Sequence, residues 1–437
     1  MRYKEYKKVD MQWFDEVPSH WEIKKFKRLT KNIGMGRTFL NANLLDYRSE
    51  KTIPVYSATQ NDKILGYTYD KSLLLKQGDI VIPARGNSIG YAKLIKENEA
   101  TCSQTTIYCK VKDIDNKFLY YSCYGFKDNW FYFTDTAIPQ ITVKQVENNY
   151  VPIPSKNEQE QIARFLDWKI NEIDDLIRIK NKTLKKIIFM KKSFITSMIT
   201  KGQLNIDNIK NVRLKNLCNN IIDGTHFTPE YQKEGIPFLR VTDISQLSYN
   251  DEINLSEVKR ISKEEHNNLI KRCNPQKGDV LVSKNGSIGI PMIVDWNWEF
   301  SIFVSLCLLK LNNNVIPEWI YYYFLSSLVE LEIAKGGKKG TIVNLHLDKI
   351  REFQVPLPSI KEQIKIVGII NSKIISLDEL KLNVEKQIDN LKQLKQSLIS
   401  DAVTGRIDVS NVHIPNYEKV NDIEDDTALE ENFEEEV

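Results

Sequence analysis

The sequence predicts an α+β protein in which two similar mixed α/β domains alternate with two long helices that pair with each other. Three observations support this fold class. A proline-bracketed helix start occurs twice, at residues 151–155 and 355–359, and such an internal repeat defines the architecture. Apolar residues in both following stretches recur at heptad spacing. The two segments that precede the helices share turns and β-rich runs.

The repeat divides the chain into five parts. The boundaries follow the helix starts and the glycines that end each helical stretch. The expected parts are a first domain at 1–154, a first long helix at 155–202, a second domain at 203–357, a second long helix at 358–405, and an acidic, disordered tail at 406–437.

Each helical stretch carries the same start signal. Two prolines in a Val-Pro-x-Pro-Ser run favour extended backbone just before the helix. Ser155 and Ser359 then stand three residues before Glu158 and Glu362, which is the spacing of a capping box. About 45 residues at a rise of about 1.5 Å would make a rod of about 65 Å, too long for one small domain to cover.

The apolar residues of both stretches fall on heptad positions, which is typical of coiled-coil packing. Lys180 interrupts the first seam and Lys381 the second, so neither helix suits a homodimeric zipper and we expect the copies to pair. Two unconnected amphipathic helices are the alternative. The predicted seam residues are Leu166, Ile170, Ile173, Ile177, Leu184, Ile187 and Phe194 in the first copy and Ile370, Ile374, Leu377, Val384, Ile388, Leu391, Leu394 and Leu398 in the second.

The two domain segments match each other in order. Residues 77–82 and 277–282 each read as a turn followed by an apolar strand, and each strand leads into a Gly-rich loop, 85–90 or 284–289. Further along, two aromatic stretches predict helices packed on a sheet. The second segment is therefore a diverged copy of the first, with different loop chemistry.

Composition places bounds on the function. The chain has 437 residues, which is long enough for two or three packed domains, and its net charge is +3. The absence of a run of about 18 apolar residues argues against a membrane span, and the N-terminus lacks the apolar stretch of a signal peptide. We expect a cytoplasmic protein. The 6 cysteines and 5 histidines lack metal-site spacing, so the cysteines are interpreted as buried apolar residues.

The small net charge conceals an asymmetry. Residues 418–437 contain ten acids and one lysine, which gives this segment a charge of −9. Since the whole chain carries +3, residues 1–417 carry +12. A basic body suggests a polyanionic partner, although solubilising lysines would give the same count.

Catalytic signatures are missing from the sequence. The Gly-rich run at 336–341, which contains Lys338 and Lys339, does not have P-loop spacing. A glycine fingerprint for a dinucleotide or an adenosyl cofactor is also lacking, so the chain is expected to bind no cofactor of its own. His226 is interpreted as a turn residue that could contact DNA.

What remains is binding by the repeated loops. Arg85 with Asn87, and Lys284 with Asn285, are residue types that pair with guanine and adenine edges. Ser88 and Ser287 could hold a phosphate beside glycines that allow close backbone approach. A purely structural hairpin is the default interpretation of each loop, and the recurrence of the loops in two basic domains raises the odds of binding.

This ordered double set resembles the specificity subunit of type I restriction-modification systems over nearly the whole chain except the acidic tail. In the first half the resemblance rests on Thr59-Gln60-Asn61, Gly78-Asp79, residues 86–90, Ile138-Pro139-Gln140, Pro152-Ile153-Pro154 and Glu158-Gln159. In the second half it rests on Asp223-Gly224-Thr225-His226, Pro237-Phe238-Leu239-Arg240, Gly278-Asp279, Pro356-Leu357-Pro358 and Glu362-Gln363. The run Ile342-Val343-Asn344 departs from the Ile-Pro-Gln pattern.

The resemblance implies two target-recognition domains, each reading half of a split, asymmetric site on double-stranded DNA. It implies an antiparallel helical spacer, two docked methyltransferase subunits and two restriction (motor) subunits, with S-adenosylmethionine, ATP and Mg²⁺ bound by those partners. The chain itself would have no catalytic residues. The residues expected to contact DNA are Gln60, Arg85, Asn87, Ser88, His226, Arg240, Lys284, Asn285, Ser287, Lys338 and Lys339.

Two other functions remain open on the sequence. One is a self-contained enzyme, such as a nuclease, whose site is formed only in space. The other is a coiled-coil assembly scaffold that does not touch DNA.

Overall fold

A computed structural model describes residues 2–11, 13–40, 42, 44–59, 63–86, 88–130, 140–200, 209–245, 247, 251–335 and 345–419. The chain divides into two compact units. Unit 1 comprises Met1–Asn181 and Lys386–Val437, and unit 2 comprises Lys182–Glu385. Each unit therefore contains one domain and half of each long helix.

Unit 1 is built mainly from short strands because its β-rich runs are interrupted by turn residues every few positions. Its elements are β1 (Tyr6–Met11), β2 (Phe14–Pro18), β3 (Glu22–Lys25), a 3-10 helix (Phe26–Leu29), β4 (Thr30–Met35), β5 (Ile53–Tyr56), β6 (Gly66–Thr68), β7 (Leu75–Lys76), β8 (Ile80–Pro83), β9 (Lys93–Leu94), β10 (Glu99–Cys102), β11 (Thr106–Val111), α1 (Asn116–Trp130), α2 (Val143–Asn148) and β12 (Tyr150–Ile153).

The strands of unit 1 form two larger sheets with the orders β4-β11-β8-β9 and β6-β5-β10-β7, while β12 pairs with β3. Strand β11 is antiparallel to β4 and β8, and β10 is parallel to β5. Helix α1, the first of the predicted aromatic helices, buries Phe118 and Leu119 against the first sheet.

Unit 2 repeats this plan. After the long helix α3 (Lys156–Thr200), its elements are β13 (Lys210–Arg213), a 3-10 helix (Leu214–Asn216), β14 (Cys218–Asp223), β15 (Ile236–Leu239), α4 (Val241–Ile244), β16 (Arg260–Ile261), α5 (Lys263–Leu269), β17 (Val280–Ser283), β18 (Pro291–Ile293), β19 (Ser301–Ile302), β20 (Leu306–Leu311), α6 (Pro317–Leu325), α7 (Ser327–Ala334), α8 (Leu347–Glu352) and β21 (Gln354–Leu357). The sheet order β14-β20-β17-β18 and the pair β13-β21 match their counterparts in unit 1, whereas the sheet β16-β15-β19 has three strands in place of four.

The long helices are α3 and α9 (Ile360–Val403), close to the predicted bounds. Both capping boxes are formed. The Ser155 and Ser359 amides donate to Glu158 and Glu362 at 3.2 and 2.9 Å, and the glutamate amides donate back to the serine hydroxyls at 3.4 Å. These bonds satisfy N–H groups that a helix start otherwise leaves unpaired.

The two helices pack together in antiparallel register, as the resemblance implied. In unit 1, Lys395 donates to Asp174 at 2.7 Å, and in unit 2, Lys191 donates to Asp378 at 2.8 Å. Both members of the second pair lie 204 positions from their counterparts in the first, which is the repeat offset. The two copies therefore pair through the same residues twice.

The heptad positions bury most of the predicted seam, including Ile173 and Ile187 in α3 and Leu377 and Val384 in α9. Leu394 is an exception, since more than half of its side chain is exposed. A straight α-helix drifts by about 20° per heptad relative to a strict 3.5-residue repeat, so the end of a long pattern can leave the seam.

A buried glutamine joins each long helix to its domain. The Gln159 amide group donates to the Pro154 carbonyl at 2.9 Å and accepts from the Asp115 amide at 2.8 Å. Its counterpart Gln363 donates to the carbonyls of Pro358 and Asn314 at 3.0 Å and accepts from the Ile316 amide, also at 3.0 Å. The glutamine thereby pairs backbone groups at the starts of two helices.

Replacing this glutamine is expected to destabilise unit 2. In Gln363→Leu the Ile316 amide and the Asn314 carbonyl lose their partner, and one buried unpaired group costs about 1–3 kcal/mol. Denaturant unfolding followed by tryptophan fluorescence measures the change. The control is Lys361→Ala, an exposed residue two positions earlier. Equal midpoints for the two variants would contradict the coupling role.

The first part of the predicted tail is ordered, which corrects the sequence-based boundary. Residues 406–419 pack on α3, where the Gln161 side chain donates to the carbonyls of Val409 and Val412 at 3.1 and 2.8 Å, and Asn171 donates to the Glu418 carbonyl at 3.0 Å. Val409 is buried in the core of unit 1. Residues 406–419 pack on unit 1 because they contain apolar side chains between the charged ones. The acidic residues 420–437 lie outside the described range.

Across the described ranges, the helices lack a stretch apolar enough and long enough to cross a membrane.

Candidate nucleic-acid interface

In unit 1 the loops that follow several strands meet at one edge, which we call loop edge 1 (residues 36–38, 57–59, 84–90, 103–105 and 140–141). Backbone hydrogen bonds join them. The Arg37 amide donates to the Cys102 carbonyl at 2.9 Å, the Ser103 amide to Tyr56 at 2.8 Å, and the Ile141 amide to Ala84 at 3.0 Å. The carboxyl ends of β4, β5, β8 and β10 supply these loops.

Unit 2 has the corresponding loop edge 2 (residues 224–226, 240–243, 284–289, 303–305 and 345). The same bonds recur. The backbone amide of Thr225 donates to the Ile302 carbonyl at 3.2 Å, and that of Phe303 donates to the Leu239 carbonyl at 2.9 Å. The Leu345 amide donates to the Lys284 carbonyl at 2.7 Å. The duplicated fold thus presents the same arrangement of loops twice.

These bonds correct the sequence-based pairing of Arg85 with Lys284. The Ala84 amide donates to Thr105 at 2.8 Å and the Lys284 amide to Ser305 at 2.9 Å, so Lys284 corresponds to Ala84. Arg85 corresponds to Asn285 instead. The closing bonds, Gly90 to Pro83 and Gly289 to Ser283, show that the loop in unit 1 is one residue longer. Aligning residues 85–90 with 284–289 without a gap therefore pairs each residue of the first loop with the wrong residue of the second, one position off.

Arg85 is exposed at loop edge 1, and its backbone forms a bridge with Gln140. The neighbouring Gly86 has a φ of +84°, which favours glycine, with open space around it. Ser88 differs from the expectation. It is buried, and its hydroxyl donates to the Ala58 carbonyl at 2.8 Å, so it ties two loops together rather than facing a phosphate.

Lys93, in strand β9, supports loop edge 1, although the sequence did not single it out. Although it is 4% exposed, its ammonium group donates to the carbonyls of Ser57 and Thr59 at 3.0 and 2.8 Å and to the Thr59 hydroxyl at 2.9 Å. It therefore holds the loop that leads to Gln60. A lone lysine in a strand gives no sequence signal for such a role.

Asp223, the last residue of β14, lies directly before loop edge 2 and contacts several side chains there. Its side chain is 4% exposed and accepts from the Lys284 ammonium at 2.8 Å, with Lys284 itself 6% exposed. Burial would raise the pKa of Asp223, but the hydrogen bonds from Lys284 and Arg272 outweigh it and lower the pKa below its ordinary value. Lys284 is thus committed to a buried ion pair, and its placement does not support the predicted contact with a base edge.

Two further side chains contact this carboxylate. His226 contacts it through Nε2 at 3.1 Å, and Arg272 donates from Nη2 at 2.7 Å. Arg272 also donates from Nη1 to the carbonyls of Asp223 and Gly224 at 3.0 and 3.1 Å. Both side chains are more than half exposed. Arg272 was missed on the sequence because it lies 49 positions from Asp223.

The remaining predicted residues of loop edge 2 differ in exposure. Arg240 pairs with Asp243 at 2.9 Å, which raises the pKa of its guanidinium, chiefly through the hydrogen bond. Asn285 is half-buried, and among the described residues its Oδ1 has no hydrogen-bond partner. Ser287 is exposed. Gln60, Asn87, Lys338 and Lys339 lie outside the described residues, as do most residues of the Ile138-Pro139-Gln140 and Ile342-Val343-Asn344 runs.

Within the part of the chain that the structure describes, His, Cys, Asp and Glu side chains do not gather in groups of three that could hold a metal. The geometry of both edges instead suits binding of a polyanion, since it combines exposed cations with glycine-containing loops held by backbone hydrogen bonds.

Comparison with known proteins is consistent with this arrangement. The family model described as "Type I restriction modification DNA specificity domain" matches residues 18–187 and 206–391, once per repeat. The chain is 23% identical to the MjaVIII specificity subunit of Methanocaldococcus jannaschii over 91% of its own length and 95% of that protein. It is also 23% identical to the Escherichia coli EcoBI specificity subunit, over 63% of the chain and 62% of the relative.

The fold is also found among solved structures. A chain from a study of "complex assembly and conformational transition of the type I R-M system" aligns with a TM-score of 0.64 at 17% identity, over 90% of this chain and 99% of that one.

Proposed function

The chain belongs to the type I restriction-modification DNA specificity family, and on that premise we propose that each unit reads one half of a bipartite, asymmetric DNA site. Members of this family are the non-catalytic DNA-recognition components of their systems. The observation that carries the proposal is the duplicated loop edge, with Arg85 exposed at one edge and His226 and Arg272 exposed at the other. Two similar edges with different side chains suit two different half-sites.

The helix pair would set the gap between the half-sites. Support comes from its continuity and its register, since α3 and α9 each run through both units. The identical ion pairs Asp174–Lys395 and Asp378–Lys191 fix the pairing on both sides. A helix pair held at two levels resists sliding and bending, which a measuring element needs.

We further propose that two methyltransferase subunits dock on this chain and that two restriction subunits join them for cleavage. Support comes from apolar side chains that remain exposed on the long helices, including Ile188, Met190, Ile364, Ile375 and Leu382. An open, shallow groove lined by Phe194, Gly368 and Ser376 lies on the helices in unit 2. Exposed apolar residues of this extent are typical of protein interfaces.

Cofactors are assigned to those partners. S-adenosylmethionine would bind to the methyltransferase subunits, and ATP and Mg²⁺ to the restriction subunits, so that this chain directs both reactions without a catalytic residue of its own. Its place of action would be the cytoplasm, where the DNA of the host is accessible.

Methylation mapping in cells carrying the complete system tests the function. A split, asymmetric methylated sequence with a constant gap supports it, and unsplit or random methylation contradicts it. Incubating the purified chain alone with DNA and either Mg²⁺ or a methyl donor tests the alternative of a self-contained enzyme. Turnover by the lone chain would contradict the assignment.

Removing Arg85 is expected to relax one half-site. If its guanidinium bonds to a guanine edge, Arg85→Ala weakens binding of the correct base by about 1–3 kcal/mol, while the other half-site stays strict. Methylation mapping of the variant complex measures this. Arg28 serves as the control, because it is exposed in the 3-10 helix that precedes β4, at the opposite end of that strand from the loop edge. Equal weakening on all sequences would contradict base recognition.

A further inference from the structure

We propose that Arg272 and His226, anchored on the buried Asp223 carboxylate, bind one phosphate of the DNA backbone in unit 2. This inference rests on the proposed function, because it assumes that loop edge 2 faces DNA. It adds Arg272, which the sequence patterns did not assign, and it separates contact with the DNA backbone from base recognition.

The charges around Asp223 do not balance. One carboxylate accepts hydrogen bonds from two cations, Lys284 and Arg272, which leaves a net positive charge. The ammonium group of Lys284 is buried together with the Asp223 carboxylate and neutralises its charge. The unbalanced charge is therefore carried by the exposed Arg272, with His226 beside it, and it is available to an anion from solvent.

Arg272 keeps donors for such an anion. Its three bonds to the carboxylate of Asp223 and to the carbonyls of Asp223 and Gly224 use three of the five N–H donors of a guanidinium, counted over the described residues. Nε–H and one Nη2 hydrogen remain. With 51% of the side chain exposed, these donors can reach an oxygen from outside. Planar guanidinium donors match phosphate oxygens well.

The anchoring favours a phosphate over a base. A guanidinium held at three points beside the backbone cannot extend into a groove, as base recognition requires. The backbone beneath it is also tightly packed, since a Cβ at Gly224 would lie 2.0 Å from the Ile302 carbonyl oxygen. A rigid cation at a fixed place suits the regularly spaced phosphates, whose contacts position a protein without reading sequence.

Unit 1 lacks the central ion pair. By the backbone bonds of the loop edges, Gly36 corresponds to Gly224 and Ala84 to Lys284, so Met35 takes the place of Asp223. Neither residue carries charge. The proposed contact is therefore specific to the half-site bound by unit 2.

The first experiment measures the salt dependence of binding. The methyltransferase complex containing this chain binds a duplex with its mapped site over a range of KCl concentrations. Arg272→Ala is expected to lower affinity about tenfold at low salt and to reduce the slope of log K against log salt by about one unit, without changing the preferred bases. Lys271→Ala, at the exposed neighbour that bonds Asn268, should leave both unchanged.

The second experiment localises the contact. Neutral methylphosphonates replace single phosphates around the half-site bound by unit 2. At one position the replacement should lower the affinity of the wild-type complex for the duplex. The same replacement should not lower the affinity of the Arg272→Ala complex any further, as expected when two changes remove the same interaction. If every methylphosphonate replacement lowered the affinity of Arg272→Ala as much as that of the wild type, the assignment would be overturned. A variant with relaxed base preference and an unchanged salt slope would also overturn it.

A third variant guards against loss of folding. His226→Gln alters a side chain that is 66% exposed and should reduce the cost of the same methylphosphonate replacement. If the wild-type complex shows no sequence-specific binding at all, the proposed function fails. If it binds a split site and these variants behave like wild type, only the phosphate contact fails.

Discussion

Inserting one heptad into both long helices at once is expected to widen the gap between the recognised half-sites by about three base pairs. The insertion points are between Asn181 and Lys182 in α3 and between Glu385 and Lys386 in α9, which are the boundaries between the two units. Seven residues add about 10.5 Å of helix, and each base pair rises by about 3.4 Å.

The physical reason lies in the symmetry of the pairing. The two boundaries are 204 positions apart, so the insertions face each other and leave both ion pairs, Asp174–Lys395 and Asp378–Lys191, on their own sides. Seven residues also preserve the heptad seam. The half-site sequences should not change, because no loop residue is altered.

Methylation mapping of cells that carry the lengthened chain measures the new gap. A heptad in α3 alone is the control, since it displaces one helix against the other and should abolish specific methylation. A doubly lengthened chain that methylates the original site with its original gap would refute the measuring role of the helix pair.

Replacing Asp223 by alanine is expected to destabilise unit 2 by about 3–5 kcal/mol, because it leaves the ammonium of Lys284 buried without its counter-ion. The stabilisation depends on the ionised carboxylate. Since the pKa of Asp223 is lowered in the folded protein, its contribution is present above about pH 4 and is lost as the pH falls through the lowered value.

Thermal unfolding at neutral pH measures this loss. The control is Asp348→Ala, which removes an acid that is 93% exposed and pairs with Arg351, and a surface ion pair contributes about 0–1 kcal/mol. A decisive second variant combines Asp223→Met with Lys284→Ala, the residues found at the same places in unit 1. It should recover most of the stability, because replacing a buried ion pair by apolar residues is often neutral.

A single Asp223→Ala variant as stable as Asp348→Ala would mean that Lys284 does not depend on this carboxylate. The double variant also separates stability from binding, since it is expected to restore stability while removing the carboxylate that holds one of the three Arg272 hydrogen bonds.

Much of the architecture could be predicted from local patterns. The capping boxes at Ser155 and Ser359, the extents of α3 and α9, and the turns at Gly78 and Gly278 are formed as expected, with φ of +88° and +93° at the two glycines. Such features depend on residues a few positions apart. Their hydrogen bonds and backbone preferences act within the local segment, so spacing alone reveals them.

The identity of the exposed residues at the loop edges could not be predicted in the same way. Arg85 and Lys284 look alike in sequence, yet one is exposed and the other is buried against a carboxylate 61 positions earlier. Arg272 and Lys93 acquire their roles only from loops brought together by the fold.

The sequence by itself determined the duplication, the family, the helix pair and its caps, because each depends on ordered or periodic residues. The tertiary structure alone decided the one-residue shift between the loops, the exposure of Leu394, the packing of residues 406–419 and the cluster around Asp223. The physical reason is that burial and ion pairing depend on which distant segments meet, and the free energy of a charge depends on the partners that replace its water.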